Sequence, residues 1–320
     1  MEKFSLFGKD LLDTAIIQQK GILAQKFEFP PFSVLNAREG AWQRRKRAWI
    51  SLGIKSEIGR DCKVFAIGDK ETWTREQKEK GGLTFKGKAA SFDAYRVKEG
   101  TRKTTDTQGT SIFDPTLCEL MYHWFCPEGG QIIDPFAGGS VRGIIAGILS
   151  YKYYGIELQQ VQIDANETQK AEICSEAPIK WVCGDALEKL NNAPKADFIF
   201  TCPPYGNLER YSDDPADLST MNYKDFIKAY KSIISQCSKK LKPGCMACFV
   251  VGDFRDLKTG FYQGFVADTI KIFQECGLGL YNDAILITAV GSLPIRVGKQ
   301  FEAGKKLGKT HQNILIFKKE

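Results

Sequence analysis

The chain has 320 residues, 43% of them hydrophobic and 26% charged, with a formal net charge of +7. That length suits one large domain or two of ordinary size, each with a sizeable core. No apolar run approaches the roughly 18 residues needed to span a membrane, and Met1-Glu2-Lys3-Phe4-Ser5-Leu6 lacks a secretory pattern, so a soluble, cytoplasmic protein is expected. Ten cysteines without an export signal do not read as a disulfide framework. Cys245 and Cys248 have CxxC spacing, but they fall on an apolar run that reads as a strand, where they face opposite sides. No metal site is expected.

The positive charge lies at the front. Residues 1–110 carry 22 Lys and Arg against 14 Asp and Glu, and the remainder carries 23 against 24. Such an excess suits a polyanionic partner, although a lysine-rich solvated surface has the same composition. Residues 1–29 contain an amphipathic helix pattern through Leu11, Leu12, Ile16, Ile17 and Leu23. Pro30 and Pro31 make the next segment extended. Then come four consecutive cations, Arg44 to Arg47, flanked by Trp42 and Trp49. On a helix Trp42, Arg45 and Trp49 share one face, and Arg44 and Arg47 another. Cations beside aromatics can grip phosphates and stack on an unpaired base. The plainer alternative makes the tryptophans core anchors and the cations a solvated face, and both can hold at once. Residues 70–109 are polar and loop-like. The expected division is a basic N-terminal region over 1–109, suited to contact with a polyanionic partner, and a second domain over 110–320.

From residue 110 the pattern alternates strands and helices, which implies a mostly parallel α/β sheet. Strands are expected at 131–136, 151–158, 179–185, 196–202, 245–253, 282–289 and 312–318. Helices are expected at 115–125, 140–149, 159–173, 222–240 and 262–276. The last two strands read as a hairpin-like pair.

Four strand ends carry the chemistry. The first strand runs into Asp134-Pro135-Phe136-Ala137-Gly138-Gly139-Ser140 and then a helix. A glycine turn after the first strand is where open α/β sheets bind nucleotides, because glycine lets the backbone approach the ligand. Glu157 ends the second strand, 23 positions after Asp134, a spacing at which an acid binds a ribose diol. Asp185-Ala186 follows the third. The fourth, Phe198-Ile199-Phe200, ends in Thr201-Cys202-Pro203-Pro204-Tyr205. Prolines cannot continue a central sheet, so this turn holds a backbone carbonyl in a fixed direction and puts an aromatic ring beside it. Such a carbonyl accepts from an NH2 group, and the side chain before the prolines can accept as well. Tyr205 can stack on a flat ring. Acceptors aimed at the reacting amine stabilise the transition state of transfer to that amine. All four ends lie on one edge of a parallel sheet, and the ordered set carries more weight than any member.

The Cys202-to-Tyr205 turn resembles motif IV of the S-adenosylmethionine-dependent amino-methyltransferases of DNA, where Asp, Asn or Ser precedes Pro-Pro and an aromatic. Cys202 departs from that pattern, and a thiol is a weak acceptor. The glycine turn resembles their motif I, with Gly138-Gly139-Ser140 where Gly-x-Gly is usual. From Phe29 to Lys318 the chain is similar to phage and prophage DNA methylases. The blocks are PPFSVLNAREGAWQRRKRAW, IFDP, IIDPFAGGSVRG, TCPPYGNLERYSDDPADLS, VVGDFRD and AVGSLPIRVGKQFEAGKKLGKTHQN.

The resemblance implies a class I methyltransferase (Rossmann-like) fold with a mostly parallel seven-stranded sheet, S-adenosylmethionine as cofactor and DNA as partner. It implies Phe113 and Asp114 at the methionine end of the cofactor, with Asp134, Pro135, Phe136, Gly138 and Gly139 shaping its site. Glu157 would hold the ribose, and Asp185 with Ala186 the adenine. Cys202, Pro203, Pro204 and Tyr205 would present the target amine. Trp42, Arg44, Arg45, Arg47, Arg210, Tyr211, Arg296 and Lys299 are the candidate substrate contacts, the last two in a glycine-rich basic connection over 291–309. Asp213, Asp214 and Asp217 are expected to cap the helix beginning near Asn222, and Asp253 and Arg255 to reach the same cleft. Cytosine N4 is the preferred acceptor, with adenine N6 behind it. The alternatives are methylation of RNA or of a protein glutamine, or a DNA-binding protein that keeps the fold without transfer.

Overall fold

A computed structural model describes residues 22–55, 113–206, 216–256, 258–291 and 293–320. The helix pattern before residue 22 and the polar stretch 70–109 lie outside the described residues, as do Arg210, Tyr211, Asp213 and Asp214.

In chain order the elements are α1 (Ile22–Phe27), β1 (Val34–Asn36), α2 (Gly40–Ile50), α3 (Pro115–Phe125), β2 (Gln131–Asp134), α4 (Val141–Ile148), β3 (Lys152–Glu157), α5 (Gln160–Ile173), β4 (Ile179–Cys183), α6 (Ala186–Lys189), β5 (Ala196–Thr201), α7 (Tyr223–Lys240), β6 (Leu241–Val251), α8 (Phe265–Glu275), β7 (Leu278–Ile287), α9 (Leu293–Gly304) and β8 (His311–Lys319). Short 3-10 turns lie at Leu190–Asn192 and Leu218–Thr220.

The strands form one mixed sheet of eight, in the order β1-β7-β8-β6-β5-β2-β3-β4. Every pairing is parallel except the two made by β8, which runs antiparallel to both β6 and β7. The order reverses between β2 and β5, the switch point at which a doubly wound sheet opens a crevice. This is a class I, Rossmann-like α/β arrangement, corrected from seven strands to eight. The extra strand is β1, whose residues 34–36 pair with 285–287. Three residues with no alternation give a sequence reader nothing to count, and their partner lies some 250 positions away.

Helices cover both faces, so the central strands are apolar throughout. Phe198, Ile199 and Phe200 of β5 are fully buried. One core contains Trp42, Trp49, Tyr122, Ile145, Phe198 and Phe200; the other contains Ile199, Phe226, Tyr230, Phe249, Phe265 and Phe273. Cys248 belongs to the first and Cys245 packs against the second, so the two thiols do lie on opposite faces. The described part of the basic N-terminal region, β1 and α2, is thus built into the same sheet and core as the rest.

The first four expected strands end one or two residues early, because the chain turns there into the crevice. A second correction concerns residues 291–309, expected as a loop. They contain α9, on which Arg296 and Lys299 fall. Leu293, Val297 and Phe301 recur at helical spacing, and Pro294 sits in the first turn, where it is tolerated. Gly298 and Gly304 hide the pattern. Among the described residues no helix is long and apolar enough to cross a membrane.

Candidate active site

The carboxyl ends of β2, β3, β4 and β5 meet over one cavity of about 420 Å³. Its wall includes Pro135, Phe136 and Gly138 after β2, Glu157 at the end of β3, Asp185 and Ala186 after β4, and Cys202 to Tyr205 after β5. Phe113 and Asp114 complete that side. The expected cofactor residues, Asp134 and Gly139 excepted, therefore share one crevice with the expected catalytic turn.

The glycine turn is fixed from three elements. Gly138, at φ +52, sits in the left-handed region that favours glycine. Its N–H donates to Glu157 Oε2 at 2.9 Å, and its carbonyl accepts from Asn166 Nδ2 of α5 at 2.8 Å. Arg142 of α4 donates from Nη2 to the carbonyls of Phe136 and Ala137. Ser140 Oγ donates to Gln169 Oε1, and Gln169 exchanges hydrogen bonds with the backbone of Lys55 in both directions.

Asp134 is the hub of this arrangement rather than part of the cavity wall. It is fully buried and accepts from Arg142 Nε (2.5 Å), Tyr153 OH (2.7 Å), Thr201 Oγ1 (2.6 Å) and Phe136 N (3.1 Å). Asp134, expected among the residues shaping the cofactor site, is corrected in one respect: its carboxylate shapes the turn from behind and does not line the cavity. Through Thr201 it also ties β2 to the strand that carries the catalytic turn. Burial opposes the charge on Arg142, but Asp134 beside it outweighs that and holds its pKa above the ordinary value. Burial, with Asp134 next, likewise pushes the Tyr153 hydroxyl well up. Gly139 does not line the cavity.

Glu157 and Asp185 do face the cavity, although each also braces its own loop. Glu157 Oε1 accepts from Gln159 N at 3.0 Å, and Asp185 Oδ1 caps α6 through Leu187 N at 2.8 Å. Asp114 caps α3 through Thr116 N, ahead of Pro115. Its Oδ2 takes Trp42 Nε1 at 3.2 Å and Lys46 Nζ at 3.1 Å.

In the catalytic turn, Cys202 Sγ lies 3.4 Å from Tyr205 OH, and Gln312 Nε2 of β8 donates to the same hydroxyl at 2.7 Å. The Tyr205 ring meets Phe265 edge-on at 6.4 Å. Gly206, at φ +52, follows, and a Cβ there would lie 2.7 Å from the Phe254 ring. Asp217 is buried and caps the 3-10 turn at Leu218 through Ser219 N, while Asn222 caps α7 through Asp225 N. The expected Asp217 cap on α7 is corrected by that short turn in between.

The basic helix divides as its spacing implied. Trp42, Arg45 and Trp49 of α2 are buried, and Arg44 and Arg47 are exposed. Arg45 is paired bidentately with buried Glu119, with Glu28 at 2.8 Å as a second partner, and Trp49 Nε1 donates to Glu119 Oε2 at 2.8 Å. Trp42 and Arg45 are thus corrected from substrate contacts to core members. Burial works against the Arg45 charge, and the two carboxylates raise its pKa nonetheless. Lys299 is exposed on α9; the side chain of Arg296 lies outside the described residues.

Sequence reading missed four groups: Arg142, the α5 amides Asn166 and Gln169, Gln43 and Lys46 on the cavity wall, and Gln312 on Tyr205. Arg142, in the first turn of the helix after the glycines, had a detectable signal, since a cation there faces a helix N-terminus that disfavours it. Gln312 had none, because β8 follows the catalytic turn by about a hundred residues.

No family model matches the chain. The type II methyltransferase M.BglII of Bacillus subtilis is 26% identical over 174 residues, which cover 52% of this chain and 44% of that protein. The chain thus spans less than half the length of that curated relative. Among solved structures, TrmN from Thermus thermophilus is 13% identical with a TM-score of 0.44, covering 65% of this chain and 49% of that one. A DNA modification methylase candidate, also from Thermus thermophilus, is 21% identical with a TM-score of 0.32, covering 42% and 52%.

Proposed function

We propose that this chain is an S-adenosylmethionine-dependent methyltransferase acting on an exocyclic amine of a DNA base, cytosine N4 in preference to adenine N6. The observation that carries the reading is that Gly138, Glu157 and Asp185 line the same cavity as Cys202 to Tyr205. The groups on that wall fit the cofactor: carboxylates for ribose hydroxyls and an adenine amine, an apolar Phe113 and Phe136, and Asp114 where the methionine ammonium would lie. When bound, S-adenosylmethionine supplies an electrophilic methyl group.

The chain's own residues supply position. Glu157 takes the ribose diol, and Asp185 with Ala186 the adenine edge. The backbone carbonyl at Cys202-Pro203 accepts from the target amine and favours the geometry in which its lone pair is localised. Tyr205 stacks on the base, its ring held edge-on by Phe265 and its hydroxyl by Gln312. The nitrogen gains the methyl group and gives up one proton to solvent. No enzyme nucleophile is involved, so Cys202 acts through its place in the turn. In duplex DNA the base must leave the stack, at a cost of a few kcal/mol. Phosphate contacts from exposed Arg44, Arg47 and Lys299 would help to offset that.

The test is nucleoside mass spectrometry of DNA from cells expressing the chain, beside a Tyr205→Ala control. N4-methylcytosine present only with the unmutated chain supports the reading in full. N6-methyladenine alone corrects the base. Neither mark, with labelled methyl transferred to RNA or protein, replaces the substrate. Cofactor binding with transfer to none of these leaves a non-catalytic binding protein.

A further inference from the structure

Next to the catalytic turn stands a small hairpin that neither the sheet nor the cavity needs. Residues 254–256 and 258–263 fold back on one another: Arg255 bridges Tyr262, Asp256 N donates to Phe261 O at 2.8 Å, and Gln263 N donates to Phe254 O at 2.9 Å. The turn is fixed internally. Asp256 Oδ1 accepts from Lys258 N, Thr259 N and Thr259 Oγ1 at 2.6–3.0 Å, and Gly260 adopts φ +75. These donors hold the Asp256 pKa below the ordinary carboxylate value.

The root of this hairpin is Phe254, buried against Phe265 and Tyr223 and touching Gly206, the residue after Tyr205. Its tip behaves oppositely. Phe261 is 75% exposed and Tyr262 45% exposed. The Arg255 guanidinium lies 3.9 Å from the Tyr262 ring centroid and donates to Gly260 O at 2.9 Å. Lys306, just past α9, reaches the tip, since a Cβ on Gly260 would lie 2.7 Å from its Nζ. Lys258 is exposed beside them.

A large ring held out in water on a rigid turn does nothing for the fold. Aromatic rings with cations around them are what unpaired nucleic acid requires: each base has a face that stacks, and each phosphate a charge. We infer that the hairpin tip, Phe261 and the Arg255–Tyr262 pair with Lys306 beside them, is a stacking platform for an unpaired base of the strand that enters the active site. Asp256, the acid within the hairpin, spends its Oδ1 on the turn's own N–H and O–H donors, and Arg255, Lys258 and Lys306 around it leave the tip with an excess of positive charge. Because the root is packed on Gly206, the platform sits at a fixed place relative to Tyr205. A neighbour of the base held at Tyr205 would therefore find its stacking partner already in position.

This inference rests on the nucleic-acid reading above, and its test separates the two. The probe is a fluorescein-labelled mixed-sequence DNA 20-mer, single-stranded or fully paired, read by anisotropy over a salt series. The unmutated chain should prefer the single strand. Phe261→Ala should weaken single-strand binding by about 5- to 150-fold, the equivalent of losing one base–aromatic stack, with the salt slope unchanged. Phe261→Trp should restore it. Lys306→Ala should lower the salt slope by about 0.7 instead, as one lost phosphate contact does on a single strand. Cofactor binding, measured separately by calorimetry, should be unaltered in all three variants and reports that they fold. Single-strand affinity unchanged in Phe261→Ala overturns the platform. So does a chain that binds no DNA, in which case the cofactor and mass-spectrometry results decide the fate of the methyltransferase reading. Self-association that Phe261→Ala abolishes, seen by light scattering, would assign the tip to a second copy and likewise overturn it.

Discussion

The two halves of the crevice solve different problems. Around β2, β3 and β4 the polar side chains are tied to one another: Asp134 to Arg142, Tyr153 and Thr201, Asn166 to the glycine turn, Gln169 to Ser140 and Lys55. Around β5, β6 and β8 the described contacts of Tyr205 include the Gln312 amide and the Cys202 thiol, and beyond it stand exposed aromatics and lysines. The first half is finished before a ligand arrives. The second faces outward through exposed rings and cations. That difference fits a small ligand of constant shape on one side and a strand of variable sequence on the other. It also says where mutation will cost stability and where it will cost activity.

The largest effect belongs to the tied half. Arg142→Ala would leave the buried Asp134 carboxylate without its cation, a change that typically costs about 3–5 kcal/mol. Urea denaturation should show the loss in full. A cost below about 1 kcal/mol would mean that Tyr153 and Thr201 suffice, and the contrast between the halves would lose its basis.

In the open half, Tyr205→Ala should lower kcat/KM by about 5- to 150-fold, the worth of one base–aromatic stack, and leave folding stability little changed. Tyr205→Phe sharpens the point, because it keeps the ring and removes the hydroxyl bonded to Gln312. One neutral hydrogen bond is worth about 0.5–1.5 kcal/mol, so a loss of roughly 2- to 10-fold is expected. Equal losses in both variants would move the role of Tyr205 from its ring to its hydroxyl.

Smaller still is Cys202→Ser. A hydroxyl can keep the contact with Tyr205 OH and accepts better than a thiol, so kcat should stay within about threefold. An inactive serine variant with normal cofactor affinity would show that the thiol has chemistry the turn does not explain.

The sequence yielded most of the parallel sheet because its signals are local. A buried strand is an apolar run, and a glycine or proline turn marks its end, so residues 131–205 could be ordered from neighbours alone. Glu157, Asp185 and Tyr205 meet on one cavity wall because parallel strands bring their carboxyl ends to one edge. What stayed hidden was long-range. β1 pairs with β7 across some 250 residues, Gln312 reaches Tyr205 across 107, and Arg45 meets Glu119 across 74. Asp134 was legible as a residue that shapes the glycine turn, but three of its four donors, Arg142, Tyr153 and Thr201, come from other elements and only the fold brings them together. In Arg45 the lack of depth made a core cation look like a surface one.

The last prediction concerns pH, and it lies where β8 begins. His311, next to Gln312, has Lys309 Nζ 3.3 Å from its Nε2, and Lys309 in turn feels Asp253. Burial first, and then Lys309, disfavour the imidazolium, so the folded pKa lies below the ordinary 6.5. Lys309 is itself lowered by burial. Between the folded value and 6.5 the unfolded chain binds more protons than the folded one, so stability falls on acidification through that window. Above 6.5 the ring is neutral in both states and contributes no slope. His311→Gln removes the titration and keeps an amide in place of the ring. The difference in urea midpoint between about pH 7.5 and about pH 5.5 should therefore be smaller in the variant than in the unmutated chain, with carboxylates common to both cancelling. An unchanged difference would mean that solvent reaches His311 freely. The opening of β8, and with it the seat of Gln312 behind Tyr205, would then be wetter than the packing of this half requires.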